Sequence, residues 1–390
     1  MPKTGVANLP LHPGKAPRWL FKRMVLLSKE ITDVIVLEYG TDEFLRRLSD
    51  PFWFQAFSCV LGFDWHSSGT STVTCGALKE AMHTSDSGIT VCGGKGNASH
   101  STLSEIEIAA DHYDLSTSVI ERFQYCSRMA AKVDNTAIQD GHTLYHHVFV
   151  MTENKKWAVI QQGMNHETRY ARRYHWLSED VDSFVCEPHN MIVGDDRQKK
   201  VLDMTAKQSS QTQRVSLDLV NDNPHHVQRD WADLTRHHQQ KTLDSWVYPH
   251  LTKNRAPHLD MPRTINWKRM KEIYNVHPTN YEELLSLRGV GARTVRALAL
   301  ISELIYGTQP SWEDPVRFSF TVGGKDGVPH PVDRKAMDES TEILRNSIEH
   351  AKLEEKERLQ ALRRLRTCLP SVSSYFPFVN TNPAIAIKIK

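Results

Sequence analysis

Apolar residues recur at helical spacing over positions 17–39, at Leu20, Met24, Leu27, Ile31 and Ile35, which predicts an amphipathic helix. A second helical run follows at 42–62, interrupted by Pro51. Positions 70–83, 104–113 and 115–133 keep the same period, and between the first two Ile89-Thr-Val-Cys92 is short and β-like. Then the period changes. Residues 142–151 and 157–164 are rich in β-branched and aromatic side chains and flank a polar connector, Thr152-Glu-Asn-Lys-Lys156, which predicts a β-hairpin. Alternation along the first of these strands sends His146 and His147 to opposite faces and splits Gln161 and Gln162 likewise, so only one of each pair faces a given site.

From 194 to 262 large apolar residues thin out and Gln, Asp, Asn and His crowd the chain, with one amphipathic helix through 215–220 and otherwise a polar connection. Helical periods return at 266–274, 281–287 and 292–306, and a long helix is expected from about 335 to 368, ended by Pro370. The expected class is α+β. A helix-rich N-terminal domain containing the β-hairpin occupies 1–200, a polar helical and loop connection 201–262, an all-α domain 263–370, and a loose tail 371–390.

Composition narrows the reading only a little. Apolar residues make up 39% and charged residues 24% of the 390, which fits a folded, core-bearing protein. Lys and Arg number 48 against 46 Asp and Glu, so any nucleic-acid affinity must rest on local clustering. The six cysteines form no C-x-x-C pair, which argues against a zinc ribbon and a secreted disulfide scaffold. No signal peptide precedes the first helix, and the most apolar helical stretch, 295–305, is too short to span a bilayer and carries Arg296 and Glu303. The Ile-Lys-Ile-Lys ending is not a prenylation signal; no membrane partner and a cytoplasmic address are expected.

The sharpest local signal is Tyr281-Glu-Glu-Leu-Leu-Ser-Leu-Arg-Gly-Val-Gly-Ala-Arg-Thr-Val-Arg-Ala-Leu298. One helix ends at Leu287, Gly289 and Gly291 bracket Val290, and a second helix begins at Ala292. This resembles the helix-hairpin-helix motif of DNA repair proteins, including the glycosylase superfamily. Glycines there permit backbone angles and a close approach closed to other residues. Val290 would plug the turn into the helix pair, and the amides starting the second helix would point at a phosphate oxygen. Such contacts hold the backbone and do not select sequence. The DNA-contacting set is Lys95, Arg288, Gly289, Val290, Gly291, Arg293, Thr294 and Arg296, with Lys268, Arg269 and Lys271 near the turn; residues 263–300 hold seven Lys or Arg against three Asp or Glu. A plain helical hairpin with Gly at its turn is the alternative, since G-x-G alone is a weak signal. The glycosylase lyase position is Arg293, which cannot lose a proton and so cannot form a Schiff base. Asp333 could still serve a monofunctional glycosylase or, more simply, cap the last long helix.

Further blocks lie upstream: Thr4-Gly-Val-Ala-Asn-Leu-Pro-Leu-His12, Gly62-Phe-Asp-Trp-His-Ser-Ser-Gly69, Gly93-Gly-Lys-Gly96, Lys132-Val-Asp-Asn135, Tyr145-His-His147, Trp157-Ala-Val-Ile-Gln-Gln-Gly-Met-Asn165 and Ala171-Arg-Arg-Tyr-His-Trp176. With Pro331-Val-Asp-Arg334 they make the chain similar to the archaeal and bacterial domain-of-unknown-function 763 family over nearly its whole length. That resemblance implies no mechanism, so the chemistry rests on residue types.

Asp64 and His66 pair a carboxylate with an imidazole just before a helix start, where the small hydroxyls serve equally well as caps. Lys95 sits in a glycine-rich turn that lacks Walker spacing and is either a phosphate-touching loop or an ordinary surface turn. Asp134 and Asp140 precede the β-hairpin, and Arg172, Arg173 and His175 follow it. A carboxylate, a hairpin and nearby cations loosely match restriction-type nucleases, but no Lys follows Gln161 or Gln162 at the required position.

The preferred expectation is a metal-dependent nuclease. Asp64, His66, Asp134, Asp140 and His146 are its candidate ligands for Mn²⁺ or Mg²⁺, joined in catalysis by His147, Gln162, Arg172 and Arg173. DNA is the expected partner. The alternatives are a monofunctional glycosylase and a non-catalytic architectural DNA-binding protein, a homodimer through its N-terminal unit.

Overall fold

The computed structural model describes residues 16–63, 68–194, 198–239, 259–316 and 334–368. The chain is α+β. Helices α1 (Arg18–Ser49), α2 (Pro51–Leu61) and α3 (Gly69–Met82) come first, followed by strand β1 (Ile89–Lys95) and helices α4 (Thr102–His112) and α5 (Thr117–Lys132). A single π-helical turn, Val133–Ala137, leads into β2 (Ile138–Gln139). Strands β3 (Thr143–Thr152), β4 (Trp157–Met164), β5 (Ala171–Leu177), β6 (Met191–Val193) and β7 (Leu202–Asp203) follow. Then come α6 (Ser210–Asn221), α7 (Pro224–Gln239), α8 (Trp267–Val276), α9 (Tyr281–Ser286), α10 (Ala292–Leu304), α11 (Arg334–His350) and α12 (Glu355–Cys368).

Local chemistry sets several boundaries. The Asp50 carboxylate accepts from the amides of Phe52 and Trp53 at 2.7 and 3.2 Å, and Pro51 at the first helical position has no amide to satisfy. The helical run expected at 42–62 is therefore split here, its first part continuing α1 and its second being α2, whose every residue is buried. Asn280 caps α9 through the amide of Glu283, and the Glu283 carboxylate reaches back to the amide and hydroxyl of Thr279.

The expected hairpin is β3–β4, in the interior of a five-stranded antiparallel sheet ordered β1-β3-β4-β5-β6; β2 and β7 pair separately. Each face of the sheet is covered, because inward positions on both sides are apolar. On one face Val91, Val148, Val150, Ala158, Ile160 and Leu177 pack under α1, α2 and α3, joined by Ile343, Leu344, Ala361 and Leu365 of α11 and α12. On the other, Phe149, Val159 and Trp176 meet α4, α5 and α6 and also Met270, Leu284, Val290 and Leu298 of α8–α10. The residues grouped by sequence as 263–370 thus divide between the two faces, and both apolar clusters run across positions 200 and 263. The structure differs from the sequence reading in three further places. β5 is a buried strand, α7 lies within the expected polar connection, and the long C-terminal helix breaks between His350 and Glu355.

Gly93 shows how tightly β1 is fitted. Its φ is +92°, and a Cβ there would lie 2.3 Å from the carbonyl oxygen of His147 and 2.6 Å from Oγ1 of Thr102. Gly93→Ala is expected to destabilise the protein by at least about 1–3 kcal/mol. Gly96→Ala, with positive φ but open space, costs less. Urea unfolding midpoints of the two variants check the order.

Candidate functional site

The cross-strand register sorts the sequence-predicted residues by face. One row runs Lys95, His146, Gln162, Arg173; the adjacent row runs Gly94, His147, Gln161, Tyr174 and faces the other way. His146 lies on the α1–α3 face, whereas Asp134, Asp140, His147 and Arg172 lie on the α5 side. The expected ligand set of Asp134, Asp140 and His146 is therefore not one coordination sphere, because the sheet stands between its members. Asp64, His66 and Asp333 lie outside the described residues. Among the described residues no group of three or more His, Cys, Asp or Glu side chains is arranged to hold a metal ion.

On the α1–α3 face the polar groups hold structure together. Gln162 donates to the carbonyl of Ser68 at 2.8 Å and also bonds the hydroxyls of Ser71 and Tyr145, tying β4 to the first turn of α3. Arg173 donates Nε to Nε2 of His175 at 2.9 Å and lies 4.6 Å from the centre of the Phe54 ring; burial lowers its guanidinium to about 9. Lys95 is exposed at the end of β1, its ammonium 5.8 Å from the Tyr145 ring. His146 is 1% exposed, and neither ring nitrogen has a hydrogen-bond partner among the described residues. Burial, with His147 and Lys95 nearby, depresses its pKa to about 3, so it is neutral at physiological pH.

The α5 face is organised differently. Asp134, fully buried on the π-helical turn, accepts from Nε2 of Gln161 at 2.5 Å and Nε1 of Trp176 at 3.0 Å, while its second oxygen pairs with Nε2 of His189. Burial pushes this carboxyl up, against the pull of His189 and Trp176. The His189 ring sits 4.4 Å from that of Trp176 and lines a cavity of about 210 Å³. Glu187, Asp203, Glu313 and Asp314 share that lining. One lining residue, Asp314, belongs to a buried ion cluster. Arg172 donates to Asp140 at 2.7 Å and to both oxygens of Asp314 at 3.1 and 2.8 Å, and the Tyr174 hydroxyl adds a bond to Asp140 at 2.7 Å. Burial would raise the Asp140 carboxyl, but Arg172 and His142 outweigh it and hold it well below the usual range. Arg172 is thus committed to two carboxylates, not turned toward a phosphate. His147 is held between Ser127 and Gln161, at 2.8 Å from each.

The turn 287–291 packs directly against the segment carrying Asp134. Lys132 donates to the carbonyl of Leu287 at 3.1 Å, and Gln139 donates to the carbonyl of Ala292 at 2.8 Å, so the two ends of residues 132–139 grip the two sides of the turn. Val290 is 1% exposed and plugs the turn into the core. Gly289 has φ +93° and a Cβ would meet Arg269, whereas Gly291 is extended and faces open space. No side chain caps α10, whose first residue follows Gly291. Arg288 and Arg293 are exposed, and Thr294 is half-buried. Arg296, expected beside a phosphate, instead reaches inward to the Gln139 side chain at 3.2 Å.

His189, Asp203, Glu313 and Asp314 were not singled out from sequence. His189 follows Pro188 in an irregular stretch between strands, where no period marks a side chain as inward.

Because His146 and His147 fold with pKa values of about 3 and about 4, against about 6.5 when unfolded, the unfolded chain binds more protons between those limits. Stability is therefore full above about pH 6.5 and is lost as pH falls toward about 4. Urea unfolding at pH 7 and pH 5 should show this, and His146→Leu, which removes an unpartnered buried imidazole, should lose less stability over the interval than the wild type.

No curated protein and no solved structure matches the chain. The family model described as Protein of unknown function (DUF763) matches residues 5–332, and the chain belongs to that family.

Proposed function

We propose that the protein binds DNA by its phosphodiester backbone at the 287–294 turn and hydrolyses phosphodiester bonds in the cavity lined by His189. One observation carries the reading: the residues that buttress the turn, Lys132 and Gln139, flank Asp134, which orients the cavity-lining His189. A helix-hairpin-helix reading fits the buried Val290, the positive φ of Gly289, the open space at Gly291 and the uncapped start of α10. Amides at such a helix start attract phosphate oxygens, and exposed Arg288 and Arg293 add charge beside them.

Within the cavity His189 is the base. Its Nε2 is taken by Asp134, and Nδ1 has no partner among the described residues. Nδ1 accepts a proton from water as the water oxygen bonds to phosphorus; the P–O bond to the leaving sugar oxygen breaks, that oxygen takes up a proton from solvent, and His189 returns its own proton to solvent. The cavity carboxylates of Glu187, Asp203, Glu313 and Asp314 would repel a phosphodiester, and among the described residues Asp314 is offset by Arg172 and Glu187 by Lys207. A divalent cation, Mn²⁺ or Mg²⁺, would supply further positive charge, with the cavity carboxylates of Glu187, Asp203 and Glu313 as its donors, although among the described residues they are not grouped as a preformed site. Lys95, His146, Gln162 and Arg173 have no part in this step, since they lie on the opposite face.

The test uses labelled single- and double-stranded DNA with Mn²⁺, Mg²⁺ or EDTA. His189→Gln should abolish cleavage and leave binding intact. Gly291→Ala should keep the wild-type melting temperature, since its Cβ meets nothing within 4 Å, yet weaken binding about tenfold, a change of roughly 1.4 kcal/mol. Arg288→Ala and Arg293→Ala should each lower the salt dependence of affinity by about one unit of slope. Unchanged affinity in Gly291→Ala would overturn the hairpin reading. Binding without cleavage under every metal condition would leave a DNA-binding protein and remove the hydrolase.

A further inference from the structure

Ser127, His147, Gln161, Asp134 and His189 form one continuous chain of hydrogen bonds from α5, along one face of the sheet, to the cavity. Four of its links are side chains at most 8% exposed, and the fifth, His189, has a side chain 7% exposed. We infer that Gln161 and His147 are positioning residues: they fix the Asp134 carboxylate so that it holds Nε2–H of His189 and leaves Nδ1 to the cavity. The inference rests on the hydrolytic role of His189 proposed above.

The direction of every bond follows from Asp134. The Asp134 oxygen that Gln161 meets also accepts from the indole N–H of Trp176, and the Gln161 side chain presents its NH₂ group to it. Its carbonyl oxygen then faces His147, and His147 must donate from Nδ1. A neutral imidazole with Nδ1 protonated has Nε2 as acceptor, so Ser127 must donate its hydroxyl proton there. An amide cannot ionise or exchange its donor for its acceptor without turning over. Gln161 therefore makes the chain one-way, with each donor pointing toward the carboxylate. The other titratable groups facing it are Asp140 and Tyr174 near Asp134, Asp203 beside His189, and His146 beside His147. The neutral state of His147 agrees with this, burial holding it at about 4.

The test is nitrogen-15 NMR of the histidine rings in the full-length protein, with His147 and His189 assigned through His147→Asn and His189→Asn. His147 in the wild type should carry its proton on Nδ1, the minority tautomer of a free imidazole, and keep it from pH 8 to pH 5.5. Ser127→Ala should leave that tautomer in place, because the Gln161 carbonyl still binds Nδ1. Gln161→Leu removes a donor from Asp134, so the His189 ring should lose its single Nε2–H tautomer, and kcat for DNA cleavage should fall while affinity for DNA is unchanged. A His147 ring protonated on Nε2 in the wild type overturns the inference whatever the cleavage result, as does an unchanged His189 tautomer in Gln161→Leu. Expected tautomers with no DNA cleavage would overturn the hydrolytic reading alone.

Discussion

A carboxylate removed from water is tolerable only where its oxygens accept hydrogen bonds or meet positive charge, and Asp134 is the place where this fold meets that demand. Its donors come from three separate parts of the chain: Gln161 in β4, Trp176 in β5, and His189 in the connection to β6. The requirement explains the π-helical turn at Val133–Ala137, a local departure from α-helix that aims Asp134 beneath the sheet. It also explains why β4 and β5 carry an amide and an indole nitrogen toward one point on this face. Remove the carboxylate, and these donors would lose their common acceptor.

The second ion cluster obeys the same rule with opposite emphasis. One guanidinium, Arg172, is shared by Asp140 and Asp314, and the amides of Gln198 and Val316 supply further donors to Asp314. Buried charge of this kind is a weak source of net stability but a strong specifier of arrangement, because any mispairing strands an ion in the interior. The cluster fixes the 311–316 segment against β5 and so closes one side of the cavity.

The period of apolar residues made the helices, the β3–β4 hairpin and the opposed directions of His146 and His147 readable without coordinates. The turn at 287–291 was readable for a different reason: two glycines around one apolar residue is a composition few other local structures require. β5 was hidden because Ala171-Arg-Arg-Tyr-His-Trp-Leu177 places charged groups inside a sheet, and their partners, Asp140 and Asp314, lie far away in sequence. α7 was hidden for the opposite reason, its polar sequence masking a 16-residue helix. A single catalytic pocket from residues 134–176 looked reasonable because those residues are near neighbours along the chain. Strand alternation then divides them, and proximity in sequence became separation by a sheet.

The two helices that end the described chain, α11 and α12, lie beyond the matched family region and yet seal α1 and α2. Ile343, Leu344, Ile348 and Leu365 take the place of solvent over Leu27, Ile31 and Phe57, and Arg23 of α1 lies 3.7 Å from Glu357. A chain cut after the matched segment would keep its cavity and its glycine turn but present a bare oily flank to its surroundings. Such flanks self-associate, so these two helices act as a lid against clumping, contributed from outside the region by which the family is recognised.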